Sequence, residues 1–170
     1  MQENEKAAYA AGLFDGEGNV DIRYRTTHGG KYDRFELRLS VVQLATNVLD
    51  WLVENFGGSH HKRGSRSRGS VRVSAWVLTG PRAITFLKAV HPYLIVKSAQ
   101  VAIALEMEAL VGDSPNWFGP GKKGYHRMPA ELWNARRDVM MRLRDQRVAE
   151  GVRPKDRNPL PSPRAVQILS

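Results

Sequence analysis

Residues 7–20, AAYAAGLFDGEGNV, constrain this chain more than any other stretch, because they read as a helix running directly into a strand. The helix carries small residues on one side (Ala7, Ala8, Ala11, Gly12) and apolar bulk on the other (Tyr9, Leu13, Phe14). Small residues at helical spacing let a second helix backbone approach closely. The helix is expected to stop at Asp15-Gly16-Glu17-Gly18, where glycine opens the backbone. A carboxylate at that point faces the negative end of the helix dipole, an unfavourable place unless a cation is near. A glycine carbonyl beside a carboxylate suits a hard divalent ion such as Mg²⁺.

Two alternating segments follow. Asn19 to Arg25 puts Val20, Ile22 and Tyr24 on one face and Asn19, Asp21, Arg23 and Arg25 on the other. After a hairpin loop at His28–Lys31, residues 34–42 alternate again, with Phe35, Leu37, Leu39 and Val41 inward and Arg34, Glu36, Arg38 and Ser40 outward. A merely half-solvated sheet also alternates. The outward set, however, combines arginines, which read guanine edges bidentately, with Asn, Asp, Glu and Ser donors and acceptors, and a two-stranded ribbon fits the major groove. Net charge points the same way: 26 Lys+Arg against 17 Asp+Glu give +9, the balance of a chain that meets a polyanion. A membrane surface is the rival polyanion, but no basic amphipathic helix dominates.

A helix from about Thr46 to Phe56 buries Val48, Leu49, Leu52, Val53 and Phe56, with Thr46 as candidate N-cap. A basic hairpin spans residues 60–78; Lys62, Arg66, Arg68 and Arg72 with the glycines and serines of its tip suit phosphate contacts, a disordered basic loop being the plainer alternative. Pro81 opens the next helix, with Ile84, Leu87 and Val90 as its stripe. A further helix covers about Ser98 to Val111, closed by Gly112. Residues 112–128 read as a Gly- and Pro-rich loop. A final helix from Pro129 to about Glu150 buries Leu132, Trp133, the Arg136 stem, Val139 or Met140, and Leu143, and carries Arg137, Arg142, Arg144 and Arg147 on its other face.

The segment AAGLFDGEG resembles the signature of the LAGLIDADG homing endonucleases, departing mainly at Ala10, where leucine is usual. The order helix, two strands, helix, two strands, helix continues the resemblance over residues 7–111. One copy of the motif resembles the single-motif, homodimeric branch. The resemblance implies an α+β fold, αββαββα with a four-stranded antiparallel DNA-binding saddle, plus an extra C-terminal helix. Residues 1–150 form one domain on this reading (core 7–111, helical addition 129–150), and residues 151–170 a Pro- and Arg-containing tail.

The resemblance also implies chemistry. Glu17 takes the place of the last acidic residue of the motif, a metal ligand, with the Gly16 carbonyl beside it; an exposed turn carboxylate is the plainer reading. Gln43 falls where relatives carry a polar residue that orients solvent, although it reads equally as a strand-end hydrogen bonder. Lys97, in the segment PYLIVK, resembles a basic residue held near the scissile phosphate, and as a group at a helix start it needs no such role. Asp15 is expected to serve helix-end structure or the interface. Ala8, Ala11 and Gly12 would line the dimer contact. One carboxylate is too few ligands for paired metals, so two chains are required. The expected activity is a Mg²⁺-dependent (or Mn²⁺-dependent) double-strand break with 3′ overhangs at a long pseudo-palindromic duplex, Ca²⁺ supporting binding without cleavage, as in intron-encoded mobile elements. A non-cleaving intron maturase or a regulatory nucleic-acid-binding protein of the same fold is the alternative.

Other chemistries find no support. Zero cysteines exclude disulfides, thiolate catalysis and zinc-thiolate sites. The five histidines lack zinc-site spacing, and no phosphate-binding glycine loop or nucleophile elbow occurs. No apolar run is long enough for a membrane span and no signal-peptide pattern opens the chain, so a soluble intracellular protein without a small-molecule cofactor is expected, in a prokaryotic cytoplasm or an organelle.

Overall fold

The computed structural model describes residues 1–27, 32–62, 73–111 and 128–152. A helix, α1 (Glu3–Glu17), passes without a turn into β1 (Gly18–Thr27). There follow β2 (Tyr32–Gln43), α2 (Thr46–Phe56), β3 (Ser59–Lys62), β4 (Ser74–Thr79) and α3 (Pro81–Val90). A 3-10 turn (His91–Tyr93) leads to α4 (Ser98–Leu105), α5 (Met107–Val111) and the long α6 (Ala130–Ala149). The strands form one antiparallel sheet in the order β1-β2-β4-β3. Among the described residues, no helix is long and apolar enough to cross a membrane.

Strand alternation separates the two faces of this sheet. Val20, Ile22, Phe35, Leu37, Leu39, Val41, Trp76 and Leu78 are all buried, and they face the helices. Directly paired residues share a face, so the register Gly18–Val41–Trp76 assigns Trp76 to the core side and Asn19–Ser40–Val77 to the other. This resolves strand β4, whose apolar residues on both parities hide its orientation in the sequence. The core is aromatic at its centre: Phe86 of α3 meets Phe14 at 5.4 Å, Trp76 at 5.1 Å and Phe56 at 5.0 Å between ring centroids. Such edge and tilted contacts suit the charge distribution of the rings. At the far end of β1, Trp133 of α6 closes over Tyr24 and Phe35.

The helix α1 departs from the sequence expectation in two ways. It continues through Asp15 and Gly16 to Glu17, so the carboxylates lie in its last turn. Its buried stripe is Ala7, Ala10, Ala11 and Phe14, which places Ala11 inside the chain's own core rather than on a contact face. Gly18, extended at φ −74°, ends the helix by close approach: a Cβ there would lie 2.3 Å from the Phe14 carbonyl oxygen.

Smaller corrections follow the same logic. Ala45, not Thr46, is the N-cap of α2, and no side chain caps that helix. The helix expected over 98–111 breaks at Glu106, whose N–H bonds back to Ile103 in a tight 3-10 turn. The α6 stripe is as expected except at Leu132: Trp133, Arg136, Val139, Met140 and Leu143 are buried, and Leu132 is only half-buried. The buried Arg136 guanidinium donates from Nε to the Leu110 carbonyl at 3.0 Å, satisfying an acceptor at the end of α5.

Candidate functional site

The last turn of α1 concentrates negative charge and holds no basic residue of its own. Its two acids have different surroundings. Asp15 turns toward the segment before α4, where Oδ2 accepts the backbone N–H groups of Ile95 (2.7 Å) and Val96 (3.1 Å) and Oδ1 accepts that of Lys97 (2.9 Å). Partial burial pushes the Asp15 carboxyl up, but these donors and the Lys97 charge outweigh it and hold the group below its ordinary value. Asp15 is thus a structural carboxylate, as expected.

Lys97 returns the contact. Its Nζ donates to the Asp15 carbonyl oxygen, supplying a cation to the C-terminal end of α1. Burial pushes the Lys97 ammonium below its ordinary value, against the nearby carboxylates of Asp15, Glu150 and Glu17. The structure therefore brings Lys97 and Glu17, far apart in the chain, into one electrostatic neighbourhood.

Glu17 is exposed, and among the described residues its carboxylate has no hydrogen-bond or ion-pair partner. Gly16 is exposed as well, with nothing within 4 Å of where a Cβ would stand. A hard cation takes six or more oxygen donors, and the described residues contain no group of three His, Asp or Glu side chains able to hold one. A carboxylate and a carbonyl at an open helix end fit part of a divalent-metal shell; phosphate oxygens, water and a second copy would have to complete it. Gln43, half-buried, lies two residues past the Gly18–Val41 pair, at the α1 end of the sheet.

The outward face of the sheet begins two residues after Glu17. Asn19, Asp21, Arg23 and Arg25 pair in register with Ser40, Arg38, Glu36 and Arg34, giving a polar double row. Arg34 Nη2 bonds Glu36 at 2.9 Å, and Arg23 Nε reaches Asp21 at 3.5 Å, so the acids orient arginine heads that remain part-exposed. Ser40 departs from expectation: at 3% exposure on an interior strand between Asn19 and Val77, its short side chain is covered by its neighbours. Lys62 is exposed but pairs with Ser74, which puts it by parity on the helix side with His60 and Trp76. Arg66, Arg68 and Arg72 lie outside the described residues.

The exposed face of α1 also differs from the expected one. With Ala11 buried, it carries Ala8, Gly12 and Gly16, three small residues each one turn apart, beside Tyr9, which is 49% exposed, and nothing outside the helix's own backbone lies within 4 Å of a Cβ built at either glycine. Ile95 and Val96, whose N–H groups dock on Asp15, are 89% and 64% exposed beside the end of this face.

This architecture is found among solved structures. The chain superposes on homing endonuclease I-CvuI in complex with its target in the presence of Ca (TM-score 0.67, 18% identity, 93% of this chain and 88% of that one). It superposes equally on the archaeal intron-encoded homing endonuclease I-Vdi141I complexed with DNA (0.66, 17%, 94% and 92%). The LAGLIDADG homing endonuclease I-GzeII in complex with its DNA target matches at 0.59 and 12%, over 96% of this chain and 54% of that one. The chain has the LAGLIDADG homing-endonuclease fold. No protein-family model matches the sequence, and neither does any curated protein. The likeness is thus one of backbone architecture. In the LAGLIDADG fold seen here, the signature helix is α1 and the saddle is the β1-β2-β4-β3 sheet.

Sequence reasoning missed one group of residues at this end of the molecule. Arg147 of α6 donates from Nη2 to Asn19 Oδ1 at 2.8 Å, and its Nη1 lies 3.7 Å from Asp21 Oδ1. Glu150, just past the helix, accepts from Gln146 at 2.7 Å and from the buried Gln100 of α4. The basic face of α6 was visible in the sequence, but its partners lie up to 128 positions away.

Proposed function

We propose that the chain is a site-specific, divalent-metal-dependent DNA endonuclease that works as a homodimer. The observation that carries the reading is the position of Glu17: an exposed carboxylate in the last turn of α1, without a hydrogen-bond or ion-pair partner among the described residues, near Lys97 and at the start of the polar saddle. Two copies joined along Ala8, Gly12 and Gly16 would bring two such carboxylates together and make one saddle of two sheets. Exposed Ile95 and Val96 at the edge of that face favour its being covered. The fold neighbours that hold DNA, one with Ca present, support the same reading.

Each residue has a definite part in this reading. The outward arginines engage phosphates and guanine edges, with Asn19, Asp21 and Glu36 supplying the complementary vocabulary. Glu17 and the Gly16 carbonyl would hold a divalent ion, Mg²⁺ or Mn²⁺, which supplies Lewis-acid activation of a phosphodiester. Lys97, held by the Asp15 carbonyl, places a positive charge where a scissile phosphate accumulates negative charge. Gln43 orients solvent at the end of β2. The expected product is a double-strand break with 3′ overhangs at a pseudo-palindromic target.

Selection from randomised duplex DNA in Ca²⁺, followed by a switch to Mg²⁺, tests the reading. A two-fold-related site recovered by wild type and cut only after the switch supports it. Glu17→Gln should bind that site with little loss and fail to cut it; normal cutting by this variant would remove Glu17 from the mechanism. A site bound but never cut by wild type would leave a non-cleaving maturase or regulator of the same fold.

A further inference from the structure

The last turn of α6 reaches around the open edge of the sheet. α6 packs on the helix side through Trp133, while Asn19 and Asp21 belong to the opposite, outward face of the edge strand β1. Arg147 nevertheless meets both. A guanidinium has only donors, so the Asn19 atom 2.8 Å from Arg147 Nη2 is necessarily the carboxamide oxygen. The amide is thereby oriented: one lone pair of its oxygen is engaged by the protein, and its NH₂ has no partner among the described residues.

The turn that carries Arg147 is itself anchored. The Glu150 carboxylate accepts from Gln146 in the same turn and from Gln100, which is 4% exposed on α4. Because α4 begins beside Lys97, the turn is tied to the element that supports the candidate cleavage site. Asp21, in turn, lies between Arg147 at 3.7 Å and Arg23 at 3.5 Å, so its charge is countered on the surface that would meet phosphates.

We infer that Arg147 is a specificity-setting positioning residue: by holding the Asn19 oxygen, it fixes the carboxamide with its NH₂ free and biases Asn19 toward donating to the base pair nearest the cleavage centre. This rests on the DNA-cleaving reading above. A free carboxamide turns either end to a base and can pair bidentately with adenine; one whose oxygen is held by an arginine leads with its NH₂, which favours an acceptor such as guanine O6 or N7, adenine N7 or thymine O4 over the N4 donor of cytosine. Asn19 stands two residues beyond Glu17, so of the outward residues of β1 it lies nearest the candidate cleavage centre, and the innermost pairs of each half-site are the ones to vary.

The test uses the full-length protein and the target that wild type selects, with the innermost pairs varied and dissociation constants read by fluorescence anisotropy in Ca²⁺. Wild type should bind cytosine at the contacted position roughly tenfold more weakly than an acceptor-bearing base. Arg147→Met and Asn19→Ala should each shrink that ratio to about twofold or less, at this position only, and the double variant should be no worse than either single one. An Arg147→Met profile identical to wild type overturns the inference. So does uniform weakening across all substituted targets, which is the behaviour of a phosphate contact. Should Arg147→Met fail to fold, Asn19→Ala decides, because discrimination that survives without the carboxamide cannot depend on its orientation. If wild type selects no target, the DNA reading itself falls, an outcome distinct from an unchanged variant profile.

Discussion

Removing the Asp15 carboxylate is the most informative single perturbation of the fold, because it separates the support of the site from its chemistry. Asp15 accepts three backbone N–H groups, at 2.7, 2.9 and 3.1 Å, from the segment that delivers Lys97. Losing a one-bond helix cap costs about 0.5–2 kcal/mol. Three donors raise that figure, but Ile95 and Val96 are exposed and recover water, so Asp15→Ala should destabilise by about 2 kcal/mol. For a chain of this size that lowers the melting temperature by roughly 4–8 °C. Asp15→Asn keeps one neutral acceptor and should fall about halfway.

The pH dependence has a definite sign. The folded carboxyl is held below its ordinary value, so it contributes stability that is complete above the unfolded value and disappears as pH falls through the folded one. The gap between wild type and Asp15→Asn should therefore close on acidification. Urea melts at neutral and acidic pH measure it. Asp15→Ala frees the backbone of the segment that carries Lys97 while keeping the carbonyl that accepts its Nζ, so cutting should fall more than DNA binding. A gap that stays constant into the acid range, or an Asp15→Ala protein as stable as wild type, would refute the buttress assignment.

Three further outcomes follow from the same geometry. Gly18→Ala puts a methyl group 2.3 Å from the Phe14 carbonyl and 2.4 Å from its buried ring, so a loss of about 3 kcal/mol or more is expected in denaturant melts. Gly12→Ala and Gly16→Ala meet no atom within one chain and should stabilise the isolated chain by roughly 0.8–1 kcal/mol each; if α1 is the contact between copies, sedimentation will show weaker self-association at the same time. Gly12→Leu should leave a folded monomer by light scattering that no longer cuts, and an unchanged dimer would place the contact elsewhere.

The sequence discloses those elements whose periodicity is set by a single buried face. Strands β1 and β2, α2, α3 and the α6 stripe belong to that class, since their apolar residues recur at two or at three-to-four positions. What it conceals depends on partners distant in the chain. The sidedness of β4 was ambiguous because Trp76 and Val77 are both apolar, and only the pairing with Val41 and Ser40 decides between them. Ala11 and Gly12 looked equivalent as small residues, yet one lies against the core and the other faces outward, a difference set by the side of α1 on which Ala7, Ala10 and Phe14 are buried. The Asn19–Arg147 contact has no local signature at all.

The two acids of the signature have different surroundings in this chain. Separated by one residue on a helix, they project about 200° apart around its axis. Asp15 turns to the backbone before α4, while Glu17, although only about 20° around the axis from the buried Ala10, is exposed because the helix ends there. The inward acid satisfies the backbone before α4 and, through its carbonyl, holds Lys97. The outward acid is left at the negative end of the helix without a partner among the described residues, an arrangement that costs stability in an isolated chain. Divalent cations and a second helix are the ligands that would relieve it. Lys97 is thus braced by Asp15 and lies in the field of Glu17 as well, whose exposed carboxylate stays open to a further ligand.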